Sequence, residues 1–169
     1  MQEFTSANTS LNQIPALHKS LVNKNLFGDT NFDMGAGKFD TTTNFLEKHE
    51  VLNIRYDKYN LSEKININSY RYIGICDTAT ISNVLNVIKE ESEQIDVLKH
   101  TKRMLKNGGI AYISVYEGNK SGIGNQSKND CWQNNTKLID YLPTIQKVFS
   151  KAYIKYGMVI AKTYWHLKS

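Results

Sequence analysis

The chain has 169 residues, of which 40% are hydrophobic and 22% charged, and these values are typical of one globular domain spanning residues 1–169. Two cysteines, Cys76 and Cys131, are too few for a disulfide framework or a metal site, and we expect no metal. No apolar run approaches the roughly 18 residues of a membrane span, and the N-terminus lacks signal-peptide features, so we expect a cytoplasmic protein.

The net charge of +5 is compatible with nucleic acid or another anionic partner, although an ordinary solvated surface explains it about as well. Residues 1–13 are polar and predict a loosely held arm. A helix follows from Pro15, because Leu17 and Leu21 recur with helical spacing. His18 lies off that apolar stripe, and we expect it at the surface.

Next in the chain comes the pattern of a strand and a tight turn. Thr30 to Met34 predicts the first strand, and Gly35 and Gly37 predict a turn that lets a ligand approach the backbone closely. Residues 51–56 alternate like a second strand, which Asp57 ends.

The middle of the chain continues the alternation of strands and helices. Residues 58–76 predict a short helix followed by an irregular or weak edge segment, and residues 77–82 predict a buried strand. Residues 91–106 predict a helix that Asn107-Gly108-Gly109 terminates as a C-cap. Residues 110–116 predict the next strand.

After residue 116 the pattern becomes polar and then apolar again. Residues 117–135 form a long polar loop, residues 138–149 predict a helix, and residues 152–156 and 158–163 predict an antiparallel hairpin. The whole pattern predicts an α/β fold with a mostly parallel sheet and a C-terminal antiparallel hairpin.

Ligands of such sheets bind at the carboxyl ends of the strands. Asp57 follows the glycine turn by about 20 residues, the spacing at which an acid reaches the ribose hydroxyls of a nucleoside. The alternative is that Asp57 only caps a turn.

The glycine turn does not match the known phosphate-binding motifs. A Walker loop would need glycine at Phe32 and serine or threonine at Phe39, and a dinucleotide fingerprint would need glycine at Asp40. An acid before the turn, Asp33, suits instead a cationic cofactor with an amino group and no phosphate.

Several stretches together resemble the class I S-adenosylmethionine-dependent methyltransferases over residues 30–163. Asp33-Met34-Gly35-Ala36-Gly37 resembles the first motif of the family, and Asp57 resembles the acid that ends its second strand. Residues 77–85 resemble the fourth strand and the following turn. Leu105-Lys106-Asn107-Gly108-Gly109 resembles the stretch before the fifth strand, with Asn107 in place of a proline.

The resemblance implies a Rossmann-like methyltransferase sheet. Two departures stand out: Phe39 occupies the position of the third motif glycine, and the link from Asp57 to Asp77 is short. We therefore expect the third strand of the family to be missing or vestigial, which leaves the residue that reads the adenine unassigned.

The resemblance also implies S-adenosyl-L-methionine as cofactor and a set of site residues. Cofactor-binding roles fall to Asp33, Gly35, Gly37, Asp57, Ser82 and Asn83. We assign catalytic positions to Asn83 and Tyr116, at the ends of two neighbouring strands. Substrate binding is assigned to Lys120 and Trp132 in the loop 117–135, with loop anchoring as the alternative for Trp132.

The sequence therefore predicts a methyltransferase whose acceptor stays open, with nucleic acid as one candidate. Two alternatives remain at this point. One is a non-catalytic module of the same fold that binds S-adenosylmethionine or nucleic acid. The other is an enzyme that uses the cofactor for different chemistry.

Overall fold

Strands and helices alternate through most of the chain. The structure is a computed structural model that describes residues 1–164. The strands are β1 (Thr30–Met34), β2 (Leu52–Tyr56), β3 (Cys76–Ser82), β4 (Leu105–Ser114), β5 (Asn125–Lys128), β6 (Cys131–Gln133), β7 (Lys151–Lys155) and β8 (Met158–Lys162). The helices are α1 (Ala16–Asn23), α2 (Thr41–Glu47), α3 (Glu63–Ser69), α4 (Glu91–Met104) and α5 (Leu138–Gln146), with short 3-10 turns at Ala7–Thr9, Tyr70–Tyr72 and Leu85–Val87.

Six strands form one sheet in the order β2-β1-β3-β4-β8-β7. Only β8 runs against the other strands of this sheet, so the prediction of a mostly parallel sheet with a C-terminal antiparallel hairpin is confirmed. Between β2 and β3 the chain forms α3 and a 3-10 turn but no strand, which makes β2 an edge of the sheet. The third strand of the family is therefore missing, as the short link from Asp57 to Asp77 predicted.

One face of the sheet carries the main apolar core. Side chains from the middle of the sheet pack there against α4 and α5, among them Phe32, Ile81, Ile113, Leu98 and Ile145. Burial of each such side chain contributes about 1.5–3 kcal/mol. The pattern of alternating residues in the strands thus directs every second side chain into this core.

The opposite face divides into an apolar half and a polar half. Over β4 and β8, Leu17 and Leu21 of α1 pack against Tyr112 and Ile160. Over β1, β2 and β3, the buried side chains are polar. Asn31 donates a hydrogen bond to Asn53 at 2.9 Å, and all of its side chain is buried.

Asp33 lies at the centre of this polar half and is only 3% exposed. Its Oδ1 contacts Nε2 of His18 at 3.2 Å and accepts a hydrogen bond from Thr80 at 3.0 Å, while Oδ2 accepts one from Asn53 at 3.2 Å. Burial raises the pKa of Asp33, but His18 and the hydrogen bonds outweigh it, so the pKa lies below the usual value.

The position of His18 differs from the one predicted from the sequence. It was predicted at the surface, yet it is 1% exposed because α1 lies against the sheet and directs it toward Asp33 and Thr80. His18 is therefore buried although it lies off the apolar stripe of α1, because the Asp33 carboxylate lies beneath it.

The predicted C-cap at Asn107-Gly108-Gly109 is wrong. Helix α4 ends at Met104, and β4 begins at once with Leu105, which is fully buried and pairs with Cys76. A register shift between Cys76 and Thr78 absorbs the extra residues. The two glycines thus lie in an irregular strand start, because burying Leu105 forces the chain to extend immediately.

Two further features complete the fold. The predicted polar loop 117–135 contains the small hairpin β5–β6. Among residues 1–164, no helix combines the length and apolar character that a bilayer crossing requires.

We predict that Asp33→Asn removes the part of the free energy of unfolding that is lost at acidic pH. Because the folded pKa of Asp33 is depressed, its contribution is present above the unfolded pKa of about 3.9 and is lost as the pH falls through the folded pKa. Urea unfolding of the wild type between pH 3 and 7 should show this loss. Asp33→Asn should be less stable at pH 7 and have a shallower pH dependence.

The matched control is Asp140→Asn, which changes an exposed carboxylate on α5. It should retain the pH dependence of the wild type. Equal pH slopes for the wild type and Asp33→Asn would contradict the assignment of this stability to Asp33.

Candidate functional site

A cavity of about 540 Å3 lies at the carboxyl ends of β1, β2 and β3. Its wall includes the last residues of these strands, Met34, Tyr56 and Ser82, and the loops that follow them. This is the edge at which ligands of parallel sheets bind. The volume falls within the roughly 300–1,000 Å3 of small-molecule and cofactor sites.

The turn after β1 forms the floor of the cavity. Gly35 and Gly37 both have φ of 71°, a left-handed conformation that favours glycine. A Cβ on Gly35 would collide with Val84, and one on Gly37 would collide with the Ser10 hydroxyl. Glycine is thus required here both by backbone conformation and by close packing.

Asp57 clamps this turn to the loop after β2. Its Oδ2 accepts a hydrogen bond from Gly37 N at 2.9 Å, and its Oδ1 accepts three, from the backbone of Tyr59 and from the backbone and side chain of Asn60. An ionised carboxylate accepts about four hydrogen bonds in total. Because Oδ1 is already saturated, Oδ2 can accept about one more. Asp57 lines the cavity but also organises its loops.

Phe39 also lines the cavity. It occupies the position of the third motif glycine, so a ring forms part of the wall there. Beside it, Arg55 donates a hydrogen bond to the Gly37 carbonyl at 3.2 Å and pairs with Asp40. The turn is therefore held from the β2 side by a cation as well as by Asp57.

Ser82 and Asn83 follow β3 and line the cavity from the other side of the turn. Asn83 has φ of 57°, and its backbone N–H donates to the Ser114 carbonyl at 2.9 Å. This conformation leaves the Asn83 side chain exposed. The Ser82 hydroxyl is buried and has no hydrogen-bond partner within residues 1–164.

Helix α4 supplies another part of the wall. Asp96, Val97 and His100 line the cavity there. Burial and the nearby Arg103 hold the pKa of His100 below its usual value, so its ring is neutral at neutral pH. The His100 ring makes an edge contact with Tyr56, with 4.4 Å between centroids.

The N-terminal arm forms part of the cavity wall. Seven of its residues contribute to the wall, namely Gln2, Thr5, Ser6, Thr9, Ser10, Leu11 and Gln13. Ser10 accepts a hydrogen bond from Lys38 N at 3.1 Å, next to the glycine turn. The segment expected to be loosely held is therefore attached at the cavity.

The other end of the arm is held by the β5–β6 hairpin. Thr5 N donates to the Asp130 carboxylate at 3.0 Å, and Ser6 Oγ accepts from Trp132 N at 3.1 Å. The rings of Phe4 and Trp132 stack with 5.3 Å between centroids, and Lys89 lies over both rings. The contacts of Trp132 thus match the loop-anchoring alternative.

Tyr116 and Lys120, two further predicted site residues, lie outside the cavity wall. Tyr116 is 64% exposed, because β4 ends at Ser114 and the chain turns away before it. Lys120 pairs with Glu117 at 3.2 Å on the loop surface. Asp33 also lies outside the wall, since its carboxylate is bonded within the sheet.

The structure therefore brings together five of the predicted site residues: Gly35, Gly37, Asp57, Ser82 and Asn83. Sequence reasoning missed the contributions of the arm and of α4. No local signal marks them, because Val97 and His100 lie beside the apolar stripe of α4, and the arm has an ordinary polar composition.

Neither a protein-family model nor a curated protein sequence matches this chain. Solved structures do match. One is the 1,6-didemethyltoxoflavin-N1-methyltransferase of Burkholderia thailandensis, with a TM-score of 0.64 and 14% identity over 88% of this chain and 77% of that one. Its structure contains 1,6-didemethyltoxoflavin and S-adenosylhomocysteine.

Two more matches show the range of proteins with this architecture. A protein of Listeria monocytogenes assigned to the S-adenosylmethionine-dependent methyltransferases has a TM-score of 0.53 and 12% identity over 89% of this chain and 99% of that one. The cyclase SpnF has a TM-score of 0.54 and 15% identity over 76% of this chain and 54% of its own length.

These identities are too low to transfer an activity, but the topology and the position of the cavity agree with the resemblance seen in the sequence. The chain therefore has the fold of the class I S-adenosylmethionine-dependent methyltransferases.

Proposed function

We propose that the chain is a methyltransferase that binds S-adenosyl-L-methionine in the 540 Å3 cavity. The observation that carries this proposal is the position of the cavity between the Gly35–Gly37 turn, Asp57 and the end of β3. The neighbour from Burkholderia thailandensis, crystallised with S-adenosylhomocysteine, supports it.

The charges of the wall fit a cationic cofactor. Three carboxylates line the cavity, those of Asp57, Glu93 and Asp96, against a single lysine, Lys58, and the N-terminal ammonium of Met1, which pairs with Glu93 at 3.0 Å. A nucleotide phosphate would meet net repulsion in this wall, whereas a sulfonium and an ammonium group would meet attraction. The composition of the wall therefore favours S-adenosylmethionine over a phosphate-bearing nucleotide.

Each part of the wall has a proposed role. The Gly35–Gly37 backbone lies close enough to pack against the ligand, Asp57 accepts a hydrogen bond from the ribose, and Ser82 and Asn83 face the reacting end. Asp96 makes no ion pair or hydrogen bond with residues 1–164, so its carboxylate is available to the ligand. Asp33 acts indirectly, by fixing the strand before the turn.

When bound, S-adenosylmethionine supplies an electrophilic methyl group. The protein needs to hold the donor and the acceptor in line and to exclude water, and such orientation can account for much of the rate. The arm contributes to the second requirement, because seven of its residues line the cavity. A catalytic triad is not required.

Nucleic acid as the acceptor has no specific support at this site. The expectation came from the net charge of +5, but Lys58 is the single lysine in the cavity wall. A phosphate backbone approaching the cavity would need more cations there.

We predict that calorimetry detects binding of S-adenosylmethionine and S-adenosylhomocysteine, and that Asp57→Asn weakens it. Because Oδ1 of Asp57 already accepts three hydrogen bonds, the amide N–H2 of the variant would take the place of Oδ2. The ribose hydroxyl would then lose its carboxylate acceptor, which should weaken binding by about 1–3 kcal/mol.

Asp140→Asn is again the matched control and should bind as the wild type does. Failure of the wild type to bind either compound would refute the proposed function. Unchanged affinity in Asp57→Asn would show that the ribose and the turn are held by other groups.

We also predict that Trp132→Ala weakens S-adenosylhomocysteine binding by about 0.5–1.5 kcal/mol, the free energy of one aromatic pair. The reason is that Phe4 loses its stacking partner and the arm its anchor. Trp132→Phe should retain most of the affinity, and Tyr116→Ala should retain all of it. If Trp132 instead contacts the acceptor, cofactor affinity will be unchanged and only the acceptor KM will rise.

Catalysis is tested separately with methyl-labelled S-adenosylmethionine and pools of small molecules, protein, RNA and DNA. We expect label to appear in the small-molecule pool. Cofactor binding without transfer to any pool would favour a non-catalytic module, and turnover without methyl transfer would favour different chemistry, as the cyclase with this fold illustrates.

A further inference from the structure

The positive charge of the chain is unevenly distributed along the sequence. Residues 141–169 contain five lysines and no aspartate or glutamate, so this segment alone has a charge equal to the net charge of +5. Helix α1 and the loop that follows it add two lysines and no acid before Asp29. Since Lys58 is the single lysine in the cavity wall, the excess charge lies elsewhere. Part of it lies on β7, which forms one edge of the sheet.

Strand β7 presents lysine and tyrosine alternately on one face. Because successive side chains alternate along a strand, Lys151, Tyr153 and Lys155 lie on one face, and the buried Ala152 lies on the other. Tyr153 pairs with Ile160, which packs against α1, so this is the face that α1 partly covers. Helix α1 packs over β4 and β8, and the three side chains of β7 are exposed.

Two further tyrosines hold lysines beside this row. Nζ of Lys151 lies 4.5 Å from the centre of the Tyr164 ring, and Nζ of Lys24 and of Lys155 each lies 4.8 Å from the centre of the Tyr156 ring. A ring attracts an ammonium group without neutralising it. None of these three lysines forms an ion pair with residues 1–164, so their charges are positioned but uncompensated. We define the β7 surface as Lys24, Lys151, Tyr153, Lys155, Tyr156 and Tyr164.

The spacing of the β7 surface fits an extended polyanion. Residues two apart in a strand are separated by about 7 Å, which is similar to the separation of successive phosphates in an extended single strand of nucleic acid. Lys151 and Lys155 would contact phosphates, and Tyr153 between them would stack on a base. Within residues 1–164, no lysine lies over the ring of Tyr153, which is 42% exposed. A duplex offers no base face to this ring, which favours a single strand.

A membrane and an acidic protein fit the β7 surface less well. Binding to a bilayer requires apolar side chains that enter the acyl region, and none of the six residues is aliphatic. Ile154, which is exposed on β7, lies on the opposite face, with Ala152. An acidic polypeptide would pair with the lysines but would leave the ring of Tyr153 unused.

We propose that the β7 surface binds single-stranded nucleic acid through its phosphates and a base stacked on Tyr153. None of the six residues lines the 540 Å3 cavity, so this contact is separate from cofactor binding and does not depend on the proposed function. Lysines and the face of a ring do not distinguish one base from another. The binding is therefore independent of base sequence and sensitive to salt.

The test measures fluorescence anisotropy of labelled oligouridine and oligothymidine, each about 12 nucleotides long, which is within the site sizes of single-strand binders. One variant combines Lys151→Gln with Lys155→Gln, and two others are Tyr153→Ala and Tyr153→Phe. The matched control combines Lys48→Gln with Lys99→Gln, which removes the same charge from exposed lysines at the end of α2 and on α4. Thermal unfolding verifies that each variant is folded.

We expect the wild type to bind at least one oligomer, with an affinity that falls as salt rises. Loss of two phosphate contacts in Lys151→Gln/Lys155→Gln should weaken binding about tenfold or more at about 0.1 M salt and reduce the slope of log K against log salt by about 1.4. Tyr153→Ala should weaken binding about fivefold or more, and Tyr153→Phe should retain it because the ring remains. The control should keep the affinity and the salt slope of the wild type.

Binding of neither oligomer, or an equal loss in the control, would overturn the inference. The same outcome follows if a duplex of equal length, phosphatidylserine vesicles or polyglutamate bind the β7 surface more tightly than the single strands do. Failure to bind S-adenosylmethionine with intact oligomer binding would refute the proposed function and leave this inference in place.

Discussion

The burial of one carboxylate governs how this chain is assembled. Asp33 is 3% exposed, and an unpaired charge at such a position would cost several kcal/mol. Its partners come from β2, β3 and α1, so three separate segments must be in place before the charge is satisfied. The contact with His18 fixes α1 on the sheet, and α1 carries Ala16, which lines the cavity.

A second carboxylate, Asp57, fixes the ends of the strands at the cavity. Asp57 takes hydrogen bonds from the glycine turn and from the loop after β2, so the ends of two strands are fixed relative to each other. Because β2 is an edge strand, no further strand of the sheet flanks the cavity on that side. Helix α4 and the arm complete the wall, and the arm is held in turn by the β5–β6 hairpin.

The sequence predicted the fold and five of the cavity residues because both depend on local patterns. Gly35 and Gly37 need a left-handed backbone, and parallel strands direct their ends to one edge. The contributions of the arm and of α4 to the cavity were not predicted, because they depend on contacts between residues distant in sequence, such as the one between Phe4 and Trp132. The burial of His18 was not predicted, because alternation in a strand indicates a polar face but not whether that face is buried.

That buried polar face fixes the position of α1 beside the cavity. A small domain could have filled the space above β1 and β3 with apolar side chains, which are often as stable as a buried ion pair. Apolar packing tolerates small shifts of a helix, whereas the contacts of His18 with Asp33 and Thr80 define one position of α1. Methyl transfer requires donor and acceptor to be aligned closely, and both α1, through Ala16, and the end of β3, through Ser82, line the cavity. The polar network beneath these residues thus specifies the geometry on which the proposed reaction depends.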